Sequence, residues 1–377
     1  MSSRKKVLFL PEWYPNHVDP QLGVFVEKYA RAVSKFHDVA VVYIYPSEVT
    51  DSRMEVTHDD FFLIKITYPK KKLTPLAARA YINHHKNAKE ILFRDWGKPD
   101  LVHLHMLFRN FIAWDELYRW DCPNFVLTEQ WSGYLTGAYE KLPLLKKKYY
   151  KSAFSQAKTI TAVSKRLQEK LTALFNRNDI QVVPNIAERN EENKQQKPGG
   201  SSRLLVVADL VDEIKNVSGI LNAYDKVELV NPSELVIIGD GIDRTKLESI
   251  AEKIISTNKK ITFKGRLQNE DVLREMKTAD FLVLNSRFET FSMVAAEALL
   301  SGIPVISSRC GGPEEFLNSS NSMLVDVDSV SQLSTAMAEM EKKRNTFDAQ
   351  KLAEPVLQLF GIDAVGKRMS AIYNEIP

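Results

Sequence analysis

Residues 285–316 read NSRFETFSMVAAEALLSGIPVISSRCGGPEEF, and most of a repeating structural unit is legible in them. Just upstream, Phe281–Leu284 is a short apolar run with no alternation, as expected of a strand covered on both faces. It ends at Asn285-Ser286, and a loop follows. Ser292 is placed to cap a helix beginning at Met293, which should stop at Gly302 with Pro304 just beyond. Pro304–Ser307 then reads as the next strand. Strand, loop, helix and strand make a βαβ unit, the building block of parallel sheets.

The same grammar extends in both directions. In the C-terminal half, Leu204–Ala208, Leu235–Ile238, Ile261–Phe263 and Met323–Val327 are further strands. In the N-terminal half, Val7–Leu10, Val39–Ile44, Phe61–Thr67, Leu101–His105, Phe125–Thr128, Thr159–Val163 and Gln181–Val183 alternate with helical patterns such as Val24–Phe36 and Ala77–Phe93. Between the halves lies ERNEENKQQKPGGSS, Glu188 to Ser202, almost free of apolar residues. The expected fold is α/β with two Rossmann-like, doubly wound parallel-sheet domains facing across a cleft. The first spans residues 1–187, the linker 188–202 and the second 203–356, with a terminal helix at about 357–377 returning to the first. Ligands of such sheets bind outside the carboxyl ends of the strands.

The length of 377 residues fits two domains at roughly 150 residues each. Two cysteines, Cys122 and Cys310, argue against a disulfide framework or a thiolate metal site and for a reducing compartment. No run approaches the roughly 20 apolar residues of a membrane span, and the N-terminus reads as a strand rather than an export signal. The net charge of +3 conceals an asymmetry. Residues 1–187 carry 28 Lys and Arg against 19 Asp and Glu; residues 188–377 carry 23 against 29. A basic half suits an anionic partner, although uneven surface charge explains it equally well. All seven histidines lie at or before His105, so proton chemistry in the second half must use carboxylates, lysine or the substrate.

Glu289 sits in the loop at the carboxyl end of a strand, and Glu297 more than one turn inside the following helix. The free N–H groups of Phe291, Ser292 and Met293 form a helix N-terminus that attracts anions. Glu297 can accept two hydroxyl hydrogen bonds from a ribose, and Glu289 can face a sugar. Taken singly, each is an ordinary surface charge. Glu297, however, is flanked by Ala295, Ala296, Ala298 and Leu299, where a carboxylate needs a partner.

Glu289 and Glu297, with seven residues between them, resemble the E-x7-E signature of retaining glycosyltransferases of family 4, which have the GT-B fold. Ser286, Thr290-Phe291-Ser292, Gly302-Ile303-Pro304, Gly311-Gly312 and Glu315 fit the same pattern. So, more weakly, do Gly239-Asp240-Gly241, Gly265-Arg266, Ala162-Val-Ser164, Val183-Pro-Asn185 and Pro20-Gln21-Leu22-Gly23. The resemblance implies a nucleotide diphosphate sugar as co-substrate, with no metal or other cofactor. It implies that Glu289 positions the sugar and Glu297 the ribose, and that Lys215 stabilises the diphosphate. The loop Thr290–Ser292, Gly239 and Arg266 would complete the donor site, with Gly23 approaching the phosphates from the other domain. Two positions depart from the family. Asp209 stands where many relatives carry a phosphate-binding arginine, which Arg266 or Arg287 would have to replace. Gln130 stands where many carry a histidine that touches the sugar. An amide can bond a hydroxyl but cannot act as acid or base.

The resemblance therefore implies retaining transfer of a hexosyl group from a UDP- or GDP-sugar to a glycan or lipid-linked acceptor, in cell-surface polysaccharide or glycolipid assembly. The acceptor would bind the first domain. There Tyr139–Lys158 predicts a helix after Pro143, with Leu145, Tyr149, Ala153, Phe154 and Ala157 near one face and Lys146, Lys147, Lys148 and Lys151 elsewhere. That suits a cytoplasmic protein resting on the inner face of an anionic membrane, or an ordinary core-packing helix. No nucleic-acid partner is indicated.

Other motifs fall away. Gly239-x-Gly241 lacks the third glycine of a dinucleotide fingerprint, and Gly361-x4-Gly366-Lys367 follows no strand. Asp326-Val-Asp328 ends a strand, where Asp328 is expected to cap the helix starting near Val330 rather than hold a metal. His103 and His105 are read as pointing to opposite sides of their strand, and so not as paired ligands. The competing classes are a sugar-nucleotide epimerase or glycan phosphorylase of the same architecture, and a non-enzymatic two-domain sugar-binding protein.

Overall fold

The computed structural model describes residues 4–71, 74–189, 200–254 and 256–377. Most of the expected linker, residues 190–199, lies outside them. The chain divides into two compact units: Met1–Ile186 with Ile362–Pro377, and Ala187–Gly361.

The first unit is built on β1 (Lys6–Pro11), β2 (Asp38–Ser47), β3 (Arg53–His58), β4 (Phe62–Pro69), β5 (Leu101–His105), β6 (Phe125–Glu129), β7 (Thr159–Ala162) and β8 (Gln181–Val182). Their order in the sheet is β3-β4-β2-β1-β5-β6-β7-β8. Neighbours are parallel except β3, which runs antiparallel to β4 at the edge. The sequence gives no apolar run for β3 because this edge strand is largely exposed. The second unit carries β9 (Ser202–Val207), β10 (Ser233–Ile238), β11 (Lys259–Gly265), β12 (Phe281–Leu284), β13 (Val305–Ser308) and β14 (Ser322–Val325). They are all parallel, in the order β11-β10-β9-β12-β13-β14.

Apolar periodicity places the helices. On Val24–Ser34 the buried Val26, Tyr29, Ala30 and Val33 recur at helical spacing and face the first sheet. Val365, Met369, Ile372 and Tyr373 of the helix Ile362–Asn374 enter the same core, which returns the C-terminus to the first unit. The single terminal helix expected at 357–377 is in fact two. Ala349–Phe360 belongs to the second unit, and extended backbone at Gly361 separates it from Ile362–Asn374.

His103 and His105 correct the sequence reading. Residues two apart on a strand share a face, and their rings lie 3.9 Å apart, both fully buried. His103 bonds the Tyr373 hydroxyl at 2.6 Å and the Thr128 hydroxyl at 2.7 Å. Burial pushes both imidazoles towards the neutral form, His105 down to about 3. Both are packing residues, and His103 latches the last helix through Tyr373. Among the described residues no helix is long and apolar enough to cross a membrane.

Candidate active site

In the second unit the strand order reverses between β9 and β12, and the loops after these two strands converge. The β9 loop leads into a single helical turn, Asp212–Lys215, closed by Asn216 in the left-handed region at φ 48°. The β12 loop carries Ser286, Arg287 and Glu289. Lys215 Nζ donates to Glu289 Oε1 at 2.6 Å, and the Ser286 hydroxyl donates to the same oxygen at 2.8 Å. The carboxylate is 13 % exposed and the lysine 23 %, so the pair is sheltered but reachable. Lys215 keeps two further N–H donors for a ligand.

Backbone geometry fixes Glu289. Its N–H donates to the Cys310 carbonyl, and its carbonyl accepts from Gly312 N–H, both at 3.0 Å. A Cβ on Gly312 would lie 2.3 Å from the Thr290 carbonyl oxygen, so only glycine allows this approach. Ser292 then begins the helix Met293–Leu300. Its φ is 74°, and its buried hydroxyl makes no capping bond and has no protein partner. Ser292 therefore holds the expected cap position without capping, and its hydroxyl and the first amides of the helix are available to an anion. The Phe291 ring turns inward onto Phe316 and Phe360, at 5.5 and 5.0 Å, so this residue can serve a ligand only through its backbone. Glu297 lies one turn inside the helix and is 6 % exposed.

Arg287 has a different task from the one considered for it. Its guanidinium donates to the carbonyls of Asp212 and Glu213 and to Asn216 Oδ1, and it pairs with Asp328 at 2.8 Å. It clamps the turn that presents Lys215 and is committed there. Asp328 does not cap the next helix; the Ser329 hydroxyl does, accepting from Gln332 N–H. Arg266 approaches Asp209 at 3.9 Å, with both side chains largely exposed, so this contact is weak.

Gly239 directly follows β10 with φ 138°, and a Cβ there would sit 1.8 Å from the Ala208 carbonyl oxygen. Gly241 similarly abuts Leu210. These glycines let the loops after β9 and β10 pack backbone against backbone at the carboxyl edge of this sheet.

The first unit has its own reversal, between β1 and β5. Glu12 follows β1 and Arg109 follows β5. The Glu12 carboxylate accepts from Arg109 N–H, Nε and Nη2 at 2.9–3.1 Å. Burial raises the Glu12 carboxyl, opposed by the Arg109 charge and its hydrogen bonds. Gly23, at φ 68°, would place a Cβ 2.4 Å from the Trp13 carbonyl group, so the loop after β1 packs directly on the start of the helix Val24–Ser34. Gln130 follows β6; its Oε1 accepts from Asn185 at 3.2 Å, and its buried Nε2 has no partner. Beside it Glu129 is fully buried, accepting from Leu107 N–H and the Tyr134 hydroxyl. Burial pushes its carboxyl up to about 7.

Lys215, Glu289, Thr290, Phe291, Ser292 and Glu297 thus come from two adjoining loops and one helix of the second unit. Gly239 and Arg266 directly follow the neighbouring strands β10 and β11. Gly23 and Gln130 lie at the carboxyl edge of the other sheet. Glu12, Arg109 and Glu129 are not marked by the sequence as site residues, although Glu12 directly follows β1, Glu129 ends β6 and Arg109 lies in the loop after β5, where such folds keep their chemistry. On the lysine-rich helix Leu144–Gln156, Tyr150, Ala153 and Phe154 are buried, but Leu145 is 83 % exposed and leaves the expected apolar face.

Sequence and structure comparisons bear on this arrangement. The profile described as Glycosyltransferase Family 4 matches residues 22–189, and that described as Glycosyl transferases group 1 matches residues 187–354. The chain is 25 % identical to the N-acetyl-alpha-D-glucosaminyl L-malate synthase of Bacillus anthracis over 59 % of its own length and 60 % of that protein's. It is 25 % identical to the putative teichuronic acid biosynthesis glycosyltransferase TuaC of Bacillus subtilis over 98 % of its length and 97 % of that protein's. The match therefore spans less than two thirds of the first relative and nearly all of the second. Among solved structures, Anabaena HepE in complex with UDP superposes with a TM-score of 0.72, at 14 % identity, over 98 % of this chain and all of that one. That likeness establishes the shared fold, two Rossmann-like parallel-sheet units.

Proposed function

The chain belongs to glycosyltransferase family 4, and on that footing we propose that it transfers a hexosyl group with retention from a UDP- or GDP-sugar to a glycan or lipid-linked acceptor, in cell-surface polysaccharide or glycolipid assembly. One observation carries the reading: Lys215 and Glu289 are paired at the reversal of the second sheet, next to the helix that holds Glu297. That juxtaposition supplies a cation for phosphate, a carboxylate for sugar hydroxyls and a second carboxylate for ribose.

In the proposed reaction the bond from the anomeric carbon to the diphosphate oxygen breaks as the acceptor hydroxyl bonds to the same face. The acceptor proton passes to the departing phosphate. Lys215 and the first amides of the helix Met293–Leu300 stabilise the growing negative charge, a role in which preorganised donors act most strongly. Glu289 holds the sugar through its hydroxyls, and Ser286 holds Glu289. No metal is needed in this scheme. The buried free cysteines Cys122 and Cys310 and the basic N-terminal half support a reducing compartment and an anionic membrane surface nearby.

The test needs no acceptor. The protein is titrated with UDP- and GDP-hexoses, and slow hydrolysis of the bound donor is followed by NMR with and without chelator. One nucleotide class should bind, the sugar should appear first as the donor's own anomer, and chelator should change nothing. Binding of neither class removes the reading. The opposite anomer removes retention, and loss of activity with chelator removes metal independence.

A further inference from the structure

The proposed reading leaves the acceptor open, and the first unit holds a cavity that narrows it. The cavity has a volume of about 550 Å³ and lies at the carboxyl edge of the sheet, between the helices Thr74–Asp95 and Leu144–Gln156. That volume is in the range of sites that engulf a small organic ligand. Its walls are apolar and aromatic, led by Tyr68, Tyr81, Phe108, Ile112, Trp131 and Tyr150. Two features show that the walls are built. Arg109 lies over the Tyr81 ring at 5.1 Å while Glu12 holds it. Gly133 lies against the Trp131 ring so closely that a Cβ there would sit 2.1 Å from it.

Apart from the hydroxyls of Tyr68, Tyr81, Tyr149 and Tyr150, the polar part of the lining is of one kind. Four of its residues, Lys70, Lys71, Arg109 and Lys146, are cations, and none is Asp, Glu, Asn, Gln, Ser, Thr or His. A site made for a bare glycan needs carboxylates and amides to exchange hydrogen bonds with hydroxyls. This cavity offers aromatic and aliphatic surface for a chain, and cations for an anion at its mouth. Directly before Lys146, Leu144 and Leu145 are each 83 % exposed, so apolar surface continues outward from the rim. Lys147 and Lys148 follow. Exposed leucines among lysines suit the boundary of an anionic lipid layer.

We propose that this cavity binds the acceptor as an amphiphile, an isoprenoid-type chain joined to a phosphate or diphosphate. The chain lies among Tyr68, Ile112 and Trp131, and Lys70, Lys71 and Lys146 bind the phosphate. The inference rests on the reading that the first unit receives the acceptor, and it names that acceptor's class.

The test is calorimetric, on the full chain, with farnesyl diphosphate as probe. Farnesol, inorganic pyrophosphate and a short glucuronic acid oligosaccharide serve as comparisons, and nucleotide binding is titrated in the same preparation. Farnesyl diphosphate should bind at least about tenfold more tightly than pyrophosphate or farnesol, since it engages both halves of the cavity. Saturating UDP or GDP should not displace it. Lys146→Glu should weaken it about fivefold or more, and Ile112→Glu should weaken it while nucleotide affinity holds. Equal affinity for pyrophosphate, displacement by nucleotide, preference for the oligosaccharide, or indifference to both substitutions would overturn the proposal. If nucleotide binds normally in those cases, the transferase reading stands and only the acceptor class falls. If nucleotide fails as well, the transferase reading falls with it.

Discussion

Each unit places a cation and a carboxylate across the point where its strand order reverses, and the two pairs differ in how completely they are satisfied. In the first unit Glu12 accepts three N–H bonds from Arg109, and the guanidinium also covers Tyr81. In the second, both bonds to the Glu289 carboxylate, from Lys215 and Ser286, fall on Oε1. The first pair is saturated by its own chain and built into a wall. The second keeps bonding capacity for something else. The surroundings follow the same division: aromatic rings line the first edge, while Gly239, Gly241 and Gly312 bring bare backbone to the second. Reversal of strand order makes a crevice in both sheets, and the residues that fill it set the chemistry.

The sharpest way to break this contrast is to remove each carboxylate in turn. Glu289→Ala should lower turnover by about a thousandfold or more with folding intact, the scale seen when a charge-stabilising group is lost. Glu12→Ala should act on stability instead. It strands Arg109 and should cost about 2 kcal/mol, discounted for the partial exposure of that side chain, with nucleotide affinity unchanged in calorimetry. Equal effects of the two on turnover and melting would dissolve the distinction.

Arg287→Ala tests whether the second site depends on its clamp. With the Asp212–Lys215 turn released, kcat/KM should fall about tenfold, a loss of about 1.4 kcal/mol in transition-state stabilisation, with only a small drop in melting temperature. The smallest effect on turnover belongs to Glu129. Its carboxyl is raised in the folded state to about 7, so folding favours the protonated form. Stability should then fall as pH rises from the ordinary carboxylate range to about 7, and level off above it. Glu129→Gln should flatten that decline, gaining up to about 3 kcal/mol over wild type between pH 5 and pH 8 in denaturant titrations. An unchanged slope would show that Glu129 titrates like an exposed acid.

Much of this fold is legible in the sequence because buried parallel strands are continuous apolar runs. Every strand covered on both faces announces itself, whereas β3, exposed at an edge, does not. The spacing of Glu289 and Glu297 is local and readable, since strand end, loop and helix follow one another directly. The Lys215–Glu289 bond joins residues 74 apart and appears only when two loops meet. Arg287 is ambiguous in sequence because a guanidinium suits phosphate and helix-end carbonyls alike, and only the fold shows which it has. The cavity at the first sheet collects residues from six separate segments, so no contiguous pattern marks it. His103 and His105 differ from the sequence expectation for a simpler reason: the two-residue period of a strand puts them on one face.

The central claim is that the Lys215–Glu289 pair receives a nucleotide diphosphate. It is tested most directly by calorimetric titration of wild type and Lys215→Ala with the preferred nucleoside diphosphate and its parent nucleoside. The diphosphate should lose about tenfold or more in affinity in the variant while the nucleoside is unaffected, as loss of one charge-assisted phosphate contact requires. Equal loss for both ligands, or no loss for the diphosphate, would contradict the account.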